Sequence, residues 1–394
     1  MSATSPSTRP TWLALDKLGI LIALIAAAGA VLPFSLFRAN RIVLGESRSL
    51  LDALPSFASA FVVGVLLVGL VASALRLPTL AKLAAGLVAV AVLLVAIGVS
   101  ASFLTPEGDT FARVSPGAGF WLLVFAFALL VTDALTRLRL KPLVRIGILV
   151  LVGVALAVLL WSGTWNDIST LKEYATRARA FWAEGRTHLL LAFGSVAIAT
   201  VVGIPLGILC YKVAPLRAAV LNVLNIVQTI PSIALFGLLI APLAWVAANV
   251  PGASSIGISG IGLAPALLAL FAYSLLPVVS NTVVGLQGVS PAAVDAARGM
   301  GMTGRQRLLS VELPLAFPVI LTGIRIVLVQ NIGLATIAAL IGGGGFGVFV
   351  FQGIGQTAMD LVLLGAVPTV VLAFAAAVVL DALVEMTSRA ETRQ

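Results

Sequence analysis

Residues 295–314 read DAARGMGMTGRQRLLSVELP, and this stretch decides how the chain around it is read. Asp295, Arg298, Arg305, Arg307 and Glu312 place five charges in a short segment flanked by long apolar runs. Just upstream, Ser290-Pro291 is a helix start: a hydroxyl cap, then a proline where a missing N–H costs nothing. Asp295 stands early in that helix, where a carboxylate complements the positive end of the dipole. Gly299 and Gly301 end it and allow a sharp corner. Thr303, followed three residues later by Gln306, has capping-box spacing for a second short helix, expected to stop at Leu313-Pro314. A helical hairpin over 290–314 follows. It reads either as a basic loop resting among lipid headgroups or as a surface kept polar for a protein partner.

The surrounding chain is of another character. Of 394 residues, 60% are hydrophobic and 10% charged, with mean hydropathy +1.15. Soluble domains carry about one quarter charged residues, so the expected class is an all-α integral membrane protein. Apolar segments long enough to span lie at 18–37, 54–75, 79–104, 117–136, 143–161, 189–211, 218–241, 262–288, 315–338 and 360–385, about ten in all. The first is too long for a signal-peptide core and no A-x-A site follows it. The net charge of +9 sits in short connections, which points to membrane orientation and not to nucleic acid. With both termini cytoplasmic, 15 cations fall inside and 8 outside, Arg325 being left within a span. The inner set includes Arg9, Arg389 and Arg393; the outer set includes Arg41. Cys210 is the lone cysteine, and no Gly-Lys pair, HExxH or GxSxG occurs, so neither a bound cofactor nor catalysis by this chain is expected.

The halves differ. Residues 1–161 hold five spans without a polar motif. Residues 162–186, with Lys172, Glu173, Arg177, Arg179, Glu184 and Arg186 around Phe181 and Trp182, read as an amphipathic helix on the outer surface. Residues 187–394 hold five spans in which polar, uncharged side chains recur, joined by Pro205, Pro231, Pro277 and Pro318. Prolines inside apolar runs free backbone carbonyls, which membranes accept only where protein or water covers them. Gln228, Thr229, Pro231, Ser232, Tyr273, Asn281 and Asn331 are therefore candidates for a path for a small polar solute. Helix-to-helix hydrogen bonding is the alternative for the same residues. Tyr273 could also face a cation with its ring, or be packed. Arg325 is either a gate element or a structural ion pair. His188 is expected at an outer helix start, and the glycine-rich loops 251–262 and 341–347 as tight turns or a short re-entrant segment.

The hairpin's spacing resembles a family signature. Asp295-Ala296-Ala297, three residues, Gly301, nine residues, Val311, one residue, Leu313-Pro314 is similar to the EAA motif of binding-protein-dependent ABC importer permeases, with Asp for Glu and Val for Ile. HLLLAFGSVAIATVVGIPLGIL (188–209), NIVQTIPSIALFGLLI (225–240) and LTGIRIVLVQNIGLATIAALIGGGGFG (321–347) resemble the osmoprotectant branch, whose members import glycine betaine, choline or carnitine. The resemblance implies that 187–394 form a type I transmembrane domain. It implies that Asp295, Ala296, Ala297, Gly301, Arg305, Leu313 and Pro314 couple to an ATP-hydrolysing subunit, present in two copies and using ATP-Mg. It also implies a periplasmic solute-binding protein, a second permease subunit, identical or different, and a location in the inner membrane. Permeases for amino acids or sulfonates share this architecture, so another small polar solute is the alternative. The first five spans lie outside the resemblance and are similar to the extension of longer glycine betaine permeases. A gradient-driven transporter is the remaining rival. It would need buried carboxylates, whereas Asp133, Asp381 and Glu385 stand near inner ends and Asp360 at an outer one.

Overall fold

The computed structural model describes residues 15–40 and 43–391. Arg9, Arg41 and Arg393, counted above for orientation, lie outside the described residues, as does the side chain of Arg389. In order, the elements are α1 (Lys17–Val31), β1 (Ser35–Arg38), β2 (Glu46–Arg48), α2 (Ser56–Ala74), α3 (Thr79–Leu104), β3 (Arg113–Pro116), α4 (Ala118–Leu138), α5 (Pro142–Trp161), α6 (Ser169–Leu189), α7 (Ser195–Lys212), α8 (Ala214–Thr229), α9 (Ser232–Leu238), α10 (Ile240–Asn249), α11 (Leu263–Gln287), α12 (Pro291–Gly299), α13 (Gly304–Arg307), α14 (Leu313–Leu334), α15 (Gly347–Gly355) and α16 (Met359–Glu391). Among the described residues, nine helices are long and apolar enough to cross a membrane, and α1 is a shorter apolar helix. The helical class expected from composition is what forms.

Two compact units divide the chain, one of residues through Lys141 with Val150–Thr176, the other of Pro142–Leu149 with Arg177–Gln394. In the first, α1 packs on α2 and α4, and α3 on α2 and α4. Small residues allow this closeness: a Cβ at Gly29 would meet Leu123 of α4 at 3.0 Å, and one at Gly119 would meet the Gly29 carbonyl at 2.6 Å. Phe34, Leu93, Ile97, Leu123, Phe127 and Leu130 fill the core. The connections at one end add an antiparallel sheet, ordered β2-β1-β3, with Phe37 opposite Glu46 and Val114. This sheet was not foreseen, and it corrects the first span. The helix expected over 18–37 ends at Val31, because Pro33 drives Leu32 into an extended conformation and the chain enters β1.

In the second unit, α7, α11, α14 and α16 form the packed center, with α8 against α7 and α11 and α15 against α16. Two expectations change here. The segment 162–186 is not a separate surface helix: α6 runs through a π-turn at Leu190–Gly194 into α7, with one kink at Arg177. Nor is 218–241 one span, because α8 stops at Thr229, Ile230 is extended ahead of Pro231, and α9 restarts at Ser232. A proline with no N–H to give and a pre-proline residue barred from the helical region account for that break. The two glycine-rich loops meet, with Gly262 N–H donating to Ile341 O at 2.8 Å. The carboxylate of Glu184 accepts from Gly345 N–H at 2.6 Å. His188 is buried beside Phe346, 5.1 Å between ring centroids, in the middle of the long α6–α7 rod instead of at a helix start.

Candidate functional site

The hairpin closes itself with its own side chains. Ser290 Oγ caps α12 by accepting from Ala293 N–H at 3.2 Å. At the corner, Gly301 N–H donates to Arg298 O at 2.9 Å and Met302 N–H to Ala297 O at 3.1 Å, which satisfies the last carbonyls of α12. Gly301 sits at φ +76°, and a Cβ there would meet nothing within 4 Å. Its backbone conformation, not space, demands glycine. The capping box forms in full: Gln306 N–H donates to Thr303 Oγ1 at 3.3 Å and Thr303 N–H to Gln306 Oε1 at 2.8 Å. Ala297 is buried against the rest of the hairpin, while Asp295, Arg298 and Arg305 are exposed and Met300 at the tip is 69% exposed.

The second short helix does not stop at Leu313-Pro314. It passes through a π-turn, Leu308–Glu312, into α14, making one helical rod over Gly304–Leu334. In the π-turn Leu313 N–H bonds to Leu308 O, five residues back, and this wider register removes the need for an N–H from Pro314. Arg307 and Glu312, also five apart, meet at 2.6 Å across it, with the Glu312 side chain only 3% exposed. An α-helix would set residues five apart on different faces, so this ion pair belongs to the π-turn.

The residues nominated for a solute path are brought partly together, where the broken α8–α9 segment crosses the proline-bearing α11. Pro277 cannot donate to Tyr273 O, the carbonyl one turn earlier in α11, and Gln228 Nε2 donates to it instead at 2.9 Å. The break before Pro231 frees Ile230 O, and the Tyr273 hydroxyl donates to it. Gln228 thus replaces the donor that Pro277 lacks, and Tyr273 the donor that the α8–α9 break withdraws. Thr229 Oγ1 donates to Ile226 O at 2.7 Å and Asn281 Nδ2 to Pro277 O at 2.8 Å, each within its own helix. Asn331 lies elsewhere and is fully buried; its Nδ2 donates to Ser195 Oγ of α7 at 2.7 Å and Ser274 Oγ of α11 at 2.8 Å. Pro231 is exposed and Ser232 half-buried beside the break. The sequence missed the Ser195–Asn331–Ser274 junction, whose members are 136 and 57 residues apart.

Among the described residues, Arg325, Arg145 and Arg137 form ion pairs within or at the ends of the spans. Arg325 bonds to Asp381, and Arg145 to Asp381 at 2.7 Å and to Glu385. Arg137 holds Asp133 at 2.8 Å. Asp360 is buried and accepts from Leu361 N–H at 3.1 Å at the start of α16.

Comparisons with known proteins decide what this arrangement belongs to. The family model "Binding-protein-dependent transport system inner membrane component" matches residues 203–392, and "ABC transporter permease YehY, N-terminal domain" matches 16–171. The osmoprotectant import permease protein OsmW of Salmonella typhimurium is 44% identical over 186 residues, covering 47% of this chain and 81% of that protein. The chain belongs to the binding-protein-dependent ABC importer permeases. The glycine betaine/carnitine/choline permease OpuCB of Bacillus subtilis is 36% identical over 205 residues, 52% of this chain and 85% of that one. Among solved structures, the inward-facing MetNI methionine ABC transporter aligns with TM-score 0.46 at 24% identity, over 53% of this chain and 95% of that one. Membership makes the chain a multi-span membrane protein of a transport system that includes an ATPase and a solute-binding protein.

Proposed function

We propose that this chain is the permease subunit of an ATP-driven importer that takes up a quaternary ammonium osmoprotectant, such as glycine betaine, from a periplasmic binding protein. The observation that carries the reading is the self-capped hairpin at 290–314, joined without a break to α14 in a chain similar to osmoprotectant permeases. Its exposed face of Asp295, Arg298, Met300 and Arg305 is the contact for a separate ATPase, one hairpin for each of two ATPase copies. Ala297, Gly301, Leu313 and Pro314 shape that contact instead of touching nucleotide, and Ala296 lies exposed within it. ATP-Mg is used by the partner, and this chain performs no chemistry.

Motion follows from continuity. A rod of 31 residues, roughly 45 Å at 1.5 Å per residue, ties a push on the hairpin to Asn331 and through it to α7 and α11. Nucleotide binding shifts the equilibrium between inward- and outward-open states, and binding-protein release loads the cavity so opened. Pro231 and Ser232, at the α8–α9 break, are the wall of a path, with Gln228 and Tyr273 holding the helices around it and Thr229 and Asn281 as further polar positions on those helices. Residues 1–161 act as a membrane extension, 162–186 as the link and 187–394 as the transport domain. Both termini are cytoplasmic, and the working unit pairs this chain with a second copy or a relative. An importer for another small polar solute is the second reading, supported by the uncharged side chains around the break.

The test is uptake in vesicles holding the chain, its ATPase and its binding protein. Glycine betaine uptake is expected to require ATP and the binding protein and to survive collapse of ion gradients. Uptake that follows a gradient without ATP would overturn the importer reading. ATP-dependent uptake of an amino acid or sulfonate, but not of betaine, would overturn the substrate assignment alone.

A further inference from the structure

The first unit has its own charged cavity. At the end where α1 and α3 begin and α2 and α4 finish, a cavity of about 310 Å³ is lined by Asp16, Arg76, Leu77, Thr79, Lys82 and Arg137. Three cations face one carboxylate there. Asp16 is held charged: the hydrogen bond from Lys82 keeps its carboxyl below the usual carboxylate range against the opposing effect of burial. Lys82 Nζ bonds to Asp16 at 2.7 Å and to Ser73 O at 3.3 Å. Arg137 reaches Asp16 at 3.2 Å through Nη2, while its Nε holds Asp133. These contacts leave donors to spare. Arg76 uses Nε on Leu15 O at 3.1 Å, and among the described residues its two terminal nitrogens have no partner. No side chain caps α3, so the first amides of a 26-residue helix and the positive end of its dipole open at Thr79.

The wider charge pattern agrees. Among the described residues this end of the unit carries six cations, with Lys17, Arg139 and Lys141 outside the cavity, against two carboxylates, Asp16 and Asp133. The connections at the other end, 32–55, 105–117 and 162–173, carry four cations and six carboxylates among the described residues. An anion is drawn to one end only. Guanidinium forks with free terminal nitrogens match phosphate oxygens well. Among the described residues, the lining contains no aromatic ring on which a nucleobase could stack. Leu77 lines the cavity and Leu80, 68% exposed, stands one residue past Thr79 on an apolar helix, so apolar surface continues directly from the charged mouth. An amphiphile fits both surfaces; a free anion uses only one.

We propose that this cavity seats the phosphate of an anionic membrane lipid, held by Arg76, Lys82, Arg137 and the N-terminus of α3. The first unit is then a lipid-binding part of the permease, a role that does not depend on which solute is carried. The test uses the full chain in vesicles of phosphatidylcholine alone or with phosphatidylglycerol, reading the thermal midpoint, and lipid retained by the purified protein in native mass spectrometry. Phosphatidylglycerol is expected to raise the midpoint and to be retained. A hydrogen bond to a charged group is worth about 1.5 kcal/mol, so Arg76→Gln weakens retention about tenfold, and adding Arg137→Gln about 100-fold. Arg139→Gln, at the same end but outside the cavity, removes only a salt-screened attraction and leaves retention within about twofold. If the double variant does not insert, Arg76→Gln alone serves, since it removes a single backbone hydrogen bond. Three results would overturn the proposal: no effect of phosphatidylglycerol, equal losses from Arg139→Gln and Arg76→Gln, or the full stabilization from inorganic phosphate added in detergent.

Discussion

The hairpin at 290–314 and the α8–α11 crossing solve one problem in opposite ways. Both are places where helices stop and backbone groups lose partners. The hairpin closes with residues three to five apart: Ser290 to Ala293, Thr303 to Gln306, Arg307 to Glu312. The crossing closes with residues 43 and 45 apart, Tyr273 to Ile230 and Gln228 to Tyr273. Local closure leaves the hairpin's outer face free for a partner to press on. Long-range closure locks two spans to each other. The first suits a part that receives force, and the second a part that must hold its shape while force passes.

Substitutions in the two regions should differ in what they damage. Gly301→Asp should have the largest effect: a side chain in the left-handed region costs about 1–2 kcal/mol and sets a new charge at the exposed corner of the hairpin. Uptake and ATPase co-purification should both be lost while membrane insertion, read by protease protection, is retained. Glu312→Gln comes next. It leaves Arg307 beside a buried site without its counter-charge, at a cost of about 1–3 kcal/mol, and should raise the ATP hydrolyzed per solute carried. The double change Arg307→Gln with Glu312→Gln should recover part of that coupling, since replacing both partners is milder than orphaning one.

Tyr273→Phe should cost less, about 1 kcal/mol for one hydrogen bond, visible as a lower thermal midpoint with the ATPase complex intact. Combining it with Gln228→Leu should give a non-additive loss, since both support the same crossing. Asp295→Glu should be nearly silent in uptake, because the exposed pair with Arg298 at 3.3 Å contributes at most about 1 kcal/mol. A large loss from Asp295→Glu, or none from Glu312→Gln, would reverse the ranking of buried over exposed charge in the hairpin.

Legibility in the sequence follows the same divide. Ser290, Gly301, Thr303 and Gln306 announce their structure because cap and corner chemistry acts within one turn, and each does what its spacing indicates. The π-turn at Leu308–Glu312 left no such mark, and Leu313-Pro314 reads as a stop although the rod continues through it. Pro231 announced a break, but hydropathy across 218–241 averaged over it and suggested one span. The partners of Gln228, Tyr273 and Asn331 were out of reach, because a polar side chain in an apolar helix looks the same whether it lines a path or completes a neighbor's backbone. The small sheet was hidden by Pro33 and short strands at the end of an apolar run.

If the hairpin transmits force from a separate motor, site-directed crosslinking will catch the two in contact. Met300→Cys places a thiol at the exposed tip, and the one native cysteine, Cys210, is buried. In vesicles with active ATPase and binding protein, that thiol should crosslink to the nucleotide-hydrolyzing subunit, and the crosslink should abolish uptake. Uptake that proceeds with no crosslink to any ATPase from positions across the hairpin would contradict the account.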